Sequence, residues 1–204
     1  VVPHTIDSDP TSPYYDPGPG IAIDGVRYYL RGIWNAYVTN QLAGWGSDSG
    51  AVQKLAYAYA LTGDTRYAHK AMVIMDALAT LSPTTIGPRD FVSSETQVQG
   101  RLHWLTSIVY RSRIHLVNAY DIVYHGVAAD ELSPTFSGRS LRENIEQGLF
   151  MDYVFDHYDM RNGRLASLHN HEADSVRGML AVGMLLGIPE YITWGIDAIA
   201  KFLD

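Results

Sequence analysis

The segment Ser167-Leu-His-Asn-His-Glu-Ala-Asp174 places two imidazoles, one amide and two carboxylates directly before the small-residue run Val176 to Leu186. The apolar periodicity of that run predicts a helix, so the polar cluster falls at a helix start. Core packing does not call for so many titratable groups together, and the segment reads as a site. Imidazole and amide groups donate hydrogen bonds to anions, and carboxylates act as acids or bases. Plainer roles stand beside these. His169 and Asn170 have the polar atoms to cap the helix, and Glu172 and Asp174 suit the positive end of its dipole. His169 and His171 are two residues apart, which aligns side chains only on a strand, and no third ligand accompanies them. No metal site and no cofactor are predicted.

Other residues qualify as substrate contacts. Arg101 and His103, in Gly100-Arg-Leu-His-Trp104, carry donors for substrate carboxylates, though a solvated helix face explains them equally well. Trp45, in Gly44-Trp-Gly46, stands at a loop and suits stacking on a sugar ring. Trp34, Trp104 and Trp194, at helical spacing, fit a core better. Asp48 and Asp174 both lie near predicted helix starts. They are conceivable partners in an inverting glycoside hydrolase, which needs two carboxylates about 6.5–9.5 Å apart.

The elements that must position these groups read as helices. Residues 1–20 form an extended Pro/Gly-rich leading segment, and residues 21–204 a helical domain. Ile23, Val26, Tyr29, Leu30, Ile33, Trp34 and Tyr37 recur at three- and four-residue steps, predicting an amphipathic helix that stops near Gly44. Ser47 or Ser49 is expected to cap a second helix through Leu61. Gly63 ends that helix, and Asp64 caps a third through Leu78. Pro83, Gly87 and Pro88 mark a loop long enough to line a site. Residues 97–124 predict one long helix or two joined near Ser112, and Gly126 to Gly138 another loop. Ser140 and Glu143 fit a capping box opening a helix over Leu141 to Tyr158. Leu61-Thr-Gly-Asp-Thr-Arg-Tyr67 is echoed by Leu185-Leu-Gly-Ile-Pro-Glu-Tyr191, so one αα-hairpin unit is used twice. Repeated hairpins close into a toroid or stack into a solenoid.

Composition bounds the class. A chain of 204 residues, 47% of them apolar, can bury the core of about one domain. Its net charge of -7 argues against nucleic acid as a partner, and no apolar run reaches the length of a membrane span. The absence of cysteine rules out disulfides and leaves the compartment open. A start without Met and a last helical pattern, Ile192 to Leu203, without a cap predict a piece of a larger protein.

The Leu-Thr-Gly-Asp-x-Arg-Tyr-Ala hairpin, Gly100-Arg-Leu-His-Trp104 with its Arg-rich helix and Ala-Tyr-Asp121, and above all Asn170-His171 resemble the heparinase II/III-like and alginate lyase group. The resemblance spans nearly the whole chain. It implies an all-α fold, an incomplete (α/α) toroid of antiparallel hairpins truncated at its C-terminus, and β-elimination on uronic-acid polysaccharides. By it, Asn170 and His171 neutralise the uronate carboxylate, with His169, Arg101, His103 and Trp45 as substrate contacts. It also implies an anionic polysaccharide as partner and a periplasmic or extracellular location in a bacterium. The group's catalytic Tyr has no match here. A missing C-terminal segment or self-association is expected to cover the exposed toroid end. The alternatives are the inverting hydrolase and a non-catalytic helical module that binds glycan or protein.

Overall fold

The alanine-rich stretch after Gly50 forms a helix because little opposes it, and the turn that follows decides where the next helix packs. Helix α1 spans Ala51–Thr62 and α2 spans Thr65–Leu81. Gly50 itself is the N-cap of α1, with extended backbone and no side-chain cap bond, in place of the expected Ser47 or Ser49. The turn matches expectation. Gly63 adopts φ 67° and donates its N–H to the Tyr59 carbonyl at 2.7 Å, while the Asp64 side chain accepts from the Arg66 N–H at 3.0 Å. A left-handed residue costs any side chain other than glycine about 1–2 kcal/mol, which explains the glycine there.

The structure is a computed structural model that describes residues 11, 21–23, 26–28, 50–82, 106–151 and 170–203. Most of these are helical, in keeping with the all-α expectation. One short hairpin departs from it. Strands β1 (Ile21–Ile23) and β2 (Val26–Tyr28) pair antiparallel, with Ile21 opposite Tyr28 and Ile23 opposite Val26. The helix expected from Ile23 therefore does not begin there. Ile21-Ala-Ile23 and Val26-Arg-Tyr28 alternate with period two, and Asp24-Gly25 between them is a strong two-residue hairpin signal. The recurrence from Tyr29 to Tyr37 lies outside the described residues.

Helix α3 runs unbroken over Thr106–Val123, through Ser112, and closes in a 3₁₀ turn at Tyr124–Gly126. The following loop is pinched by a bridge between Leu132 and Ser140. Helix α4, Leu141–Asn144, opens with the expected capping box: the Glu143 N–H donates to Ser140 Oγ at 3.2 Å and the Ser140 N–H to Glu143 Oε2 at 2.8 Å. The bond from the Ser140 backbone holds the Glu143 carboxyl below the usual carboxylate range.

The helix expected over Leu141 to Tyr158 is not α-helical throughout, and residues 152–158 lie outside the described residues. Residues Ile145–Met151 form a π-helix instead. In this form Gly148 lies against the end of α2, where a Cβ would fall 2.6 Å from the Ala79 carbonyl oxygen. Only a residue without a side chain fits so close to backbone. Gly148→Ala is accordingly expected to destabilise the fold by about 2–3 kcal/mol despite alanine's higher helix propensity. The check is a lower urea midpoint at unchanged slope.

Helix α5 spans Asn170–Leu186 and α6 spans Pro189–Leu203, joined at Gly187 with φ 64°. Helix α1 packs on α2 and α3, α2 also on α4 and the π-helix, α3 on α5, and α5 on α6. Met72, Met75, Leu116, Tyr120, Leu149, Phe150, Met179 and Val182 form the centre of one core. Full burial of each such side chain stabilises by about 1.5–3 kcal/mol. Among the described residues, no helix is long and apolar enough to cross a membrane.

Candidate functional site

Helix α5 begins at Asn170, at the polar cluster expected to mark a helix start, so Asn170, His171, Glu172 and Asp174 belong to its opening turns. The structure describes the backbone of these four residues. Their place in the helix has an electrostatic consequence. The first four N–H groups of a helix lack an intrahelical acceptor, and the aligned peptide dipoles make that end the positive one. An anion such as a carboxylate is favoured there. Trp45, Asp48, Arg101, His103 and His169 lie outside the described residues.

Two close helix contacts fix the body of α5. A Cβ on Gly183 would fall 2.7 Å from the Tyr191 Cβ, and one on Gly195 would overlap the Leu180 side chain. Val176, Met179 and Val182 are buried on the core side. Tyr191 is buried, with its ring stacked on Trp194 at a centroid distance of 6.2 Å. Both residues pack the hairpin, as expected for Tyr191. Burial, aided by Glu190, pushes the Tyr191 phenol up to about 12. Burial also raises the Tyr120 phenol, as does the hydrogen bond it donates to Glu146 Oε1 at 2.6 Å. Both shifts favour the protonated phenol.

Beneath this helix frame lies a polar ring that sequence reasoning missed. Asp76 and Asn144 are fully buried. Asn144 Nδ2 donates to Asp76 Oδ1 at 2.8 Å and to Thr80 Oγ1 at 2.9 Å. Thr135 Oγ1 donates to Asp76 Oδ2 at 2.6 Å and lies 2.7 Å from Thr80 Oγ1. One proton assignment uses every donor: Thr80 gives its hydrogen to Thr135, and Asp76 accepts at both oxygens. The ring thereby ties α2, α4 and the loop before α4 together. Arg142 reinforces the loop by donating to the carbonyls of Tyr124 and Val127, each at 2.7 Å, with its guanidinium 4.0 Å above the Tyr124 ring. The available signal was Asp76 itself, a lone charge within the run Val73-Ile-Met-Asp-Ala-Leu78.

The ring is a structural clamp rather than a reaction centre, because its donors are spent on one another. Among the described residues, no three His, Asp or Glu side chains come together to hold a metal ion. Among the described residues, the candidate that remains is the start of α5, where an amide and an imidazole residue open a helix whose body is fixed in the core. No protein-family model matches the chain, and no curated protein is significantly similar to it.

Proposed function

We propose that the chain is the helical part of a polysaccharide lyase that cleaves uronic-acid polysaccharide by β-elimination, resembling the heparinase II/III-like and alginate lyase group. In this reading its hairpins belong to an incomplete (α/α) toroid, and its substrate is met in the periplasm or outside the cell. The observation that supports it most is that Asn170-His171 opens α5. Elimination beside a uronate requires loss of the C5 proton, and the adjacent carboxylate resists further negative charge. Hydrogen bonds from Asn170 and His171, added to the positive end of the helix, would neutralise that carboxylate and stabilise the enolate-like charge. A general base takes the C5 proton, and an acid protonates the leaving oxygen. His169, Arg101, His103 and Trp45 hold the sugar units around the bond.

Elimination and hydrolysis differ in the fate of water. The chain is incubated with a polyuronate in water enriched in heavy oxygen, and the products are weighed by mass spectrometry. The expected product pair sums to the substrate mass, with one unsaturated end and no heavy oxygen gained. Incorporation of one heavy oxygen per cleavage would instead identify the inverting hydrolase.

A further inference from the structure

Helices α1 and α2 turn one side to the core and leave the other open. Val52 and Ala56 of α1 and Ala68, Met72 and Met75 of α2 are buried. Helical spacing puts Lys54, Tyr57 and Leu61 on the far side of α1, and Arg66 and Lys70 on the far side of α2. All five are exposed, Tyr57 by 41% and Leu61 by 87%. The turn at Gly63 and Asp64 sets the two helices antiparallel, so positions equally far from it stand at about the same level. Lys70 is then level with Tyr57, and Lys54 lies one turn along α1 from the same ring.

The charge of this face runs against that of the chain, whose net charge is -7. Its acidic neighbours are already engaged. Asp64 Oδ2 lies 2.6 Å from Arg66 Nη2, and at the edge of the face Glu131 Oε1 lies 2.8 Å from His69 Nε2. Lys54 and Lys70 form no ion pair among the described residues. Two ammonium groups without an acidic partner thus flank an exposed aromatic ring. Ammonium groups recognise carboxylates, and a phenol ring offers a flat apolar surface with a polar tip. An acidic peptide would meet the lysines but bring no flat apolar face to the ring. Single-stranded nucleic acid brings flat bases, but its phosphates are repelled by the net negative charge of the chain. A polyuronate combines a carboxylate on each acidic sugar with a ring whose C–H face is apolar.

We infer that the outer face of the α1–α2 hairpin is a binding platform for acidic polysaccharide, on which a sugar ring stacks against Tyr57 and uronate carboxylates pair with Lys54 and Lys70. The choice of a uronate ligand rests on the proposed reaction, but the platform takes no residue from α5, so binding here and cleavage there fail separately.

Isothermal titration of the full chain carrying Asn170→Ala, in which cleavage does not deplete the ligand, tests the platform with alginate and polygalacturonate. Binding to at least one of them is expected, weakening as salt is added, with none to neutral dextran. Tyr57→Ala, and Lys54→Gln combined with Lys70→Gln, are each expected to weaken that binding about tenfold with unchanged circular dichroism. Lys201→Gln, a change at an exposed lysine of α6, is expected to leave it unaltered. A parent chain that binds through Tyr57 and the two lysines yet releases no unsaturated product would support the platform and refute the reaction. Failure to bind either polyuronate, equally tight binding of polyglutamate or oligothymidylate, or platform variants that bind as tightly as Asn170→Ala alone would overturn the inference.

Discussion

Exchanging Asn144 for Asp is expected to destabilise the protein by about 4 kcal/mol at neutral pH, although the two side chains have almost the same shape. The amide at position 144 donates to Asp76 Oδ1 at 2.8 Å inside the core, with both residues fully buried. A carboxyl in its place would face another carboxyl at hydrogen-bond distance, and such a pair retains one proton between them. A rise of about three pH units in the affinity for that proton corresponds to about 4 kcal/mol. The sign fixes the pH dependence. The folded variant binds its proton more tightly than the unfolded chain, so stability falls as pH rises above the ordinary aspartate value. It recovers in acid, where a protonated carboxyl again donates to Asp76. Urea midpoints for parent and variant should diverge at pH 7 and converge toward pH 4. A constant difference at all pH values would mean that the ring does not hold as described.

Asn170→Ala is the second large change, and it should act on rate rather than on stability. Position 170 is the first residue of α5, so loss of its amide costs the helix about 1 kcal/mol at most. If the amide neutralises a uronate carboxylate, its help grows as the C5 proton leaves. Removing one such donor lowers kcat by about 10²–10³-fold. An interaction strengthened only at the transition state affects kcat and kcat/KM together and leaves KM nearly unchanged. Asn170→Asp should be at least as damaging, because it sets a negative charge beside the substrate's own. A variant that raised KM alone would assign Asn170 to binding.

Local signals carried most of the helical frame. Gly63, Asp64, Ser140 and Glu143 announced a helix stop, a cap and a capping box from residue type and spacing, and each works by bonds within a few residues. Where the reading failed, a competing or distant interaction decided. At Ile23 a three- and four-residue recurrence overlapped a period-two pattern, and the Asp-Gly pair tips that balance toward strands. The π-helix at Ile145–Met151 is accompanied by the contact between Gly148 and Ala79, which are far apart in sequence. The Asp76 ring likewise joins residues whose proximity only the packed helices create. At the candidate site the chemical character of Asn170 and His171 was legible. The helix start was legible to within a residue, because polar residues at that position fit a cap just outside the helix as readily as its first turn.

The most direct measurement is ultraviolet absorbance of the 4,5-unsaturated uronate, followed as the parent chain and Asn170→Ala act on a panel of polyuronates. The account predicts absorbance that grows with the parent on at least one polyuronate and nearly vanishes with Asn170→Ala, while both proteins unfold at similar urea concentrations. Equal absorbance from the two proteins, or none from the parent on any polyuronate, would contradict it.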